Sequence, residues 1–199
     1  HIICYFHNLK FDGEFWLSFL LSNMGFTQAY YVEKDENGNE IPSTIEWMNN
    51  RDMPNNSFKY SISAMGMWYS ITIKVHNCII ELRDSYKLLP FRAQRIGESF
   101  KTKHKKLEME YKGIRYAGCY ISPDEEAYIK NDVLVIKEAL EIMFNEGHKK
   151  LTIGSCCLAE YRSLLTGKVY DTYFPNIYEL YIDENLYGSP NAGEYNLVP

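Results

Sequence analysis

Tyr5-Phe6-His7-Asn8-Leu9-Lys10-Phe11-Asp12-Gly13 is the stretch whose reading decides the fold. His1 to Phe6 reads as a buried strand, Asn8 to Gly13 as the turn out of it, and Glu14 to Asn23 as a helix closed by Gly25. Apolar Phe15, Leu17, Phe19, Leu20 and Leu21 supply that helix with a packing stripe. A strand feeding a helix across a short turn is an α/β unit, and this turn carries an amide, an aromatic ring and a carboxylate. Those are the groups needed to hold a nucleic-acid end beside a metal.

Further along, Tyr128-Ile129-Lys130-Asn131-Asp132 places a phenol and a carboxylate four residues apart. On a helix that spacing puts both on one face. The helix itself is well signalled by Ser122 as cap, Pro123 at the first position and acids in the first turn, and it should run to about Asn145, ending at Gly147. Between the two motifs, Lys59 to Leu82 alternates like strands with a turn at His76-Asn77, giving a hairpin or three-stranded meander. Leu88-Leu89-Pro90-Phe91 is read as the start of a short helix that Arg92 to Phe100 continues. Glu33 to Pro54 is polar and turn-rich, so an exposed excursion with insertion or disorder is expected there. Leu151 to Pro175 reads as one short helix closed by Gly167 plus a connector, and the tail from Ile182 has no clear period.

Composition bounds the function classes. The chain has 199 residues, 46% hydrophobic and 24% charged, which suits a folded domain rather than disorder. No apolar stretch approaches a spanning helix, so no membrane partner is expected. The net charge of −5 argues against broad duplex binding through phosphates but permits a local basic groove, and Lys101, Lys103, Lys105, Lys106 and Lys112 form the dense basic cluster. Aromatics reach 15%, including 17 Tyr, and such rings also build stacking platforms for single strands. Cys4, Cys78, Cys119, Cys156 and Cys157 lack zinc spacing and read as core or incidental thiols. That usage, with no leader sequence ahead of the first strand, points to a reducing cytoplasm.

Two-metal phosphodiester hydrolysis needs carboxylates around a pair of divalent ions, and Asp12 and Asp132 are the candidates. Taken singly, an Asp after a strand is more often a cap or turn residue. Tyr128 is suited to orient a water, or merely to pack its helix; Lys106 to neutralise phosphate charge, or to sit solvated in a loop. Asn8 and His7 are suited to donate to phosphate or sugar oxygens and Phe11 to stack on a terminal base, or all three to form a satisfied turn.

With these residues in place the chain resembles the 3′→5′ exonuclease domain of protein-primed family B DNA polymerases, the type of small tailed phages and linear plasmids. Tyr5 to Gly13 is similar to the family's second exonuclease motif and Tyr128 to Asp132 to its third, with Met65 to Tyr69, Asp84 to Phe91, Phe100-Lys101, Leu151 to Ser155 and Phe174-Pro175 in family order. The resemblance covers roughly residues 2 to 180. It implies an α/β, ribonuclease-H-like fold, a mixed sheet flanked by helices and lacking its first strands, with the exonuclease region over 1–150 and a connector towards a polymerase palm over 151–199. It implies Asp12 and Asp132 as ligands of Mg²⁺ or Mn²⁺, Tyr128 as water-positioning, Lys106 as the catalytic lysine with Met109 filling the apolar position beyond it, and His7, Asn8, Phe11, Ser85 and Tyr111 as contacts to a single-stranded 3′ end. Tyr86 departs from the family's usual leucine.

The family's first motif, Asp-x-Glu, finds no counterpart in His1 to Phe6, nor do the polymerase metal motifs appear; Asn185-Leu186-Tyr187-Gly188 echoes a nucleotide-binding motif without its lysine. The expectation is therefore a polymerase piece, a fragment or a gene remnant, whose nuclease activity alone is weak or nil. Its expected partners are a single-stranded DNA 3′ end and a terminal priming protein, in the cytoplasm of a bacterial host carrying a phage, plasmid or integrated element. An exposed sheet edge would invite a homodimer. The alternatives are a single-stranded DNA-binding module and an inert remnant.

Overall fold

Residues 1–110, 114, 116, 118–165 and 167–174 are described by the computed structural model. The chain divides into a unit spanning His1–Ile153 and a second that begins at Gly154.

Five strands form a mixed sheet in the first unit: β1 (Ile2–Phe6), β2 (Thr27–Gln28), β5 (Ser57–Ile62), β6 (Trp68–Val75) and β7 (Cys78–Asp84), in the order β1-β7-β6-β5-β2. β1 runs parallel to β7 and β2 parallel to β5, while β5, β6 and β7 form an antiparallel meander. His76 and Asn77 both take positive φ, 47° and 60°, the backbone of a tight two-residue hairpin turn. Alternation sends Phe58, Ile71, Ile73 and Leu82 to one face, where they pack with Leu9, Leu20, Phe26 and Trp68. This is the α/β architecture expected, a mixed sheet flanked by helices.

α1 (Leu9–Ser18) covers that face and continues into a π-helical turn at Phe19–Asn23. At Gly13 a Cβ would stand 2.5 Å from Cζ3 of Trp68, so α1 approaches β6 this closely only without a side chain. α2 (Ala93–Ser99) packs against α3 (Pro123–Asn145), which opens with a capping box between Ser122 and Glu125. Phe144 of α3 meets Tyr5 of β1 at 5.5 Å between ring centroids.

Several local expectations are corrected. β1 is not buried: it is an edge strand, and Ile2 and Ile3 are 54% and 42% exposed. The first helix starts at Leu9 rather than Glu14, because the Asp84 side chain accepts the Asn8 and Leu9 amides from the end of the neighbouring strand β7. Leu88 to Phe91 is not helical: Pro90 disfavours a helical residue before it, and α2 begins only after Arg92. The polar excursion is largely exposed, as expected, but Glu46–Trp47 within it (β4) pairs with Tyr30–Tyr31 just ahead of it (β3), pinned by the Trp47 and Tyr60 rings at 4.8 Å. In the second unit two helices, α4 (Ile153–Leu164) and α5 (Gly167–Tyr173), stand where one was expected, joined by Tyr161 and Tyr170 ring contacts. All five cysteines are free. No described helix is long and apolar enough to cross a membrane.

Candidate nucleic-acid interface

Between the C-terminal end of β1, α2 and α3 lies an open groove of about 1110 Å³ whose lining includes His7, Asn8, Tyr86, Arg92, Lys106 and Asp132. Its β-side wall is organised by Asp84, only 3% exposed, at the end of β7. Asp84 Oδ1 accepts the backbone N–H of Asn8 (3.0 Å), Leu9 (3.2 Å) and Tyr86 (3.0 Å), and Oδ2 lies 3.7 Å from Lys87 Nζ. One carboxylate thus starts α1, holds the left-handed backbone of Asn8 (φ 71°) and caps the turn after β7. The Asn8 side chain is left exposed on the groove.

His7 is held at both ring nitrogens. Nε2–H donates to the Phe91 carbonyl at 2.8 Å, which leaves Nδ1 of the neutral ring to accept from Ser85 Oγ at 3.1 Å. Burial lowers the His7 pKa, against the hydrogen bond to Phe91 and the nearby Asp84 charge, which raise it. Ser85 is fully buried, and its one hydroxyl proton is shared between His7 Nδ1 and the Phe6 carbonyl, each 3.1 Å away, so it reaches the groove through His7. Tyr86, the residue that departs from the family's leucine, sets its ring 5.5 Å from that of His7.

On the opposite wall α3 presents Asp132, with Tyr128 one turn before it on the same helix, and Lys106 from the loop after α2 reaches both. Lys106 Nζ donates to Asp132 Oδ2 at 2.7 Å and to the Tyr128 hydroxyl at 3.0 Å. Burial, the largest single influence, works to lower the Lys106 pKa, but the two hydrogen bonds together with the charge of their acceptors outweigh it and raise the ammonium above the ordinary lysine value. Three candidates separated by up to 26 positions therefore converge on one point.

Asp132 Oδ1 is shut off from solvent and, among the described residues, accepts no hydrogen bond, a position that a cation or a donor would satisfy. The wider donor set does not complete a metal cage. Asp12 borders a different depression, with Phe15, Trp16 and Phe19, and among the described residues no three His, Cys, Asp or Glu converge to hold an ion. These residues fit one carboxylate ligand and not, by themselves, a pair of ions.

Phe11 stands 69% exposed on α1, its ring 5.9 Å from that of Phe15. Tyr111 and Asn185 to Gly188 lie outside the described residues. Sequence reasoning missed Arg92, Tyr5 and Phe144 as groove residues; Arg92 follows Pro90-Phe91, a break in the chain that could have drawn attention to it.

The family profile described as "DNA polymerase type B, organellar and viral" matches residues 1–124. The DNA polymerases of Bacillus phage PZA and Bacillus phage phi29 are each 36% identical to this chain over 181 residues, covering 87% of it and 27% of their own length. That of Streptococcus phage Cp-1 is 28% identical over 176 residues. Among solved structures, phi29 DNA polymerase complexed with single-stranded DNA superposes with a TM-score of 0.68 at 34% identity, covering 85% of this chain and 27% of that one. The chain thus spans about a quarter of the length of the relatives it matches.

Proposed function

Because the chain belongs to the organellar and viral type B DNA polymerases, we propose that its groove receives the 3′ end of a single DNA strand as the 3′→5′ proofreading region of a protein-primed polymerase. The observation that carries this reading is the convergence of Lys106 on both Asp132 and Tyr128, with Lys106 and Asp132 lining the same groove as His7 and Asn8. Lys106 brings a positive charge to a phosphate, and by donating to the phenol oxygen it limits where the Tyr128 O–H can point, as orienting a water requires. Asn8 offers an exposed amide to phosphate or sugar, and Phe11 an exposed ring to a base.

Asp132 and Asp12 are the proposed ligands for Mg²⁺ or Mn²⁺, which would supply charge stabilisation and water activation. Two carboxylates bordering different depressions make a weak site, so hydrolysis by these residues alone is expected to be slow or nil. A terminal priming protein is the partner this reading implies.

The test is incubation of a 5′-labelled single strand with Mn²⁺ and either this chain or its Asp132→Ala variant. Stepwise shortening from the 3′ end that the substitution abolishes supports hydrolysis. Salt-sensitive binding without shortening supports the second reading, a single-strand-binding module built on Asn8, Phe11, Tyr111 and the lysine cluster. Neither binding at low salt nor shortening would refute both.

A further inference from the structure

Lys106 sits on an irregular stretch between α2 and α3, where a long side chain has no helix or strand to aim it. What aims it is a set of tethers just upstream. Glu138, one and two-thirds turns beyond Asp132 on α3, takes three hydrogen bonds from this stretch. Its Oε2 accepts Lys103 N–H at 2.6 Å and His104 N–H at 3.3 Å, and its Oε1 is 2.5 Å from His104 Nδ1. Hydrogen bonding from His104 and from the two amides keeps the Glu138 carboxyl below its ordinary pKa, so the acceptor is charged. Asn131 adds a second tether by donating its side-chain amide to the Lys105 carbonyl. The buried Thr102 turns the chain at the base of the loop, its hydroxyl 2.6 Å from the His104 carbonyl.

We infer that Glu138 is the positioning residue for Lys106: by clamping Lys103 and His104 to α3 it sets the Lys106 ammonium on Asp132 and Tyr128. Glu138 does not line the groove. It acts through the backbone it holds, two residues from the lysine it aims. The geometry of the clamp stands by itself; its consequence for DNA rests on the proposed role of Lys106 in the groove.

The experiment measures NMR nuclear Overhauser contacts between the Lys106 Hε protons and the Tyr128 ring in the 199-residue chain, the Lys106 signal assigned by loss in Lys106→Met, compared among wild type, Glu138→Ala and Glu138→Gln. Wild type should show the contact, because Lys106 Nζ lies 3.0 Å from the Tyr128 hydroxyl and 5.1 Å from its ring centroid. Glu138→Ala is expected to lose it, while Glu138→Gln, which keeps an oxygen to accept the amides, is expected to retain it. An equal contact in wild type and Glu138→Ala overturns the inference. So does a Gln variant that behaves like Ala, because charge and not tethering would then be at work. In a parallel oligonucleotide titration, Glu138→Ala should add nothing to the loss caused by Lys106→Met. An affinity unchanged by Lys106→Met would instead overturn the proposed use of the groove, leaving the NMR result to decide the clamp.

Discussion

Removing the Asp84 carboxylate should unsettle the fold and the groove together. Asp84→Ala strips the acceptor from three backbone N–H groups. Leu9 is fully buried, so its amide finds no water and its loss costs about 1–3 kcal/mol. Asn8 and Tyr86 are exposed enough for solvent to replace Asp84 in part, which adds roughly 1 kcal/mol each. The sum, about 3–5 kcal/mol, corresponds to a drop of roughly 6–20 °C in Tm for a unit of this size. Asp84→Asn keeps an oxygen for the three amides and loses only the charge and its approach to Lys87, so about 1–2 kcal/mol is expected. Urea unfolding followed by tryptophan fluorescence measures both, since Trp16 and Trp68 lie in or against the core. Equal midpoints for the two variants, or an Ala variant within about 0.5 kcal/mol of wild type, would refute the claim that these amides depend on this carboxylate.

Gly13→Ala forces a Cβ against the Trp68 ring and should destabilise by about 1–3 kcal/mol in the same unfolding assay. Phe11→Ala removes an exposed ring and should weaken single-strand binding by about 1–3 kcal/mol at constant Tm, read by fluorescence anisotropy. The pH response of His7 has a definite sign. Its folded pKa lies below its unfolded value, so the unfolded chain binds the proton first as pH falls. Stability from this group is therefore full above about 6.5 and declines below it down to the folded pKa, and His7→Gln should flatten that part of the urea-midpoint profile.

Those elements whose cause is local were readable in the sequence. The capping box at Ser122, the turn at His76-Asn77 and the alternation of β6 each depend on residues within a few positions. The misread helix at Leu88 to Phe91 also had a local cause, Pro90, but the other failures had distant ones. The start of α1 depends on Asp84, 75 positions from Leu9, and the exposure of β1 on its place at the sheet edge, which no pattern within five residues can report. The site divides in the same way. Tyr128 and Asp132 share a helix face and were legible as a pair. Glu138 was not, because six positions from Asp132 it lies well off that face and its partners are backbone amides.

Both walls of the groove are thus aimed by a carboxylate that accepts backbone N–H groups, but the two should fail differently. Asp84 is almost wholly buried and one of its amides belongs to Leu9 in the core, so losing it cannot be repaired by water. Glu138 has a side chain 20% exposed and holds amides at the surface, which solvent can take over once it is gone. Removing Asp84 should therefore lower the stability of the whole unit, whereas removing Glu138 should leave the unfolding midpoint nearly unchanged and release only the aim of Lys106. A large shift of the midpoint in Glu138→Ala would mean that the loop is part of the cooperative core, and that Glu138 supports the fold rather than the position of one ammonium group.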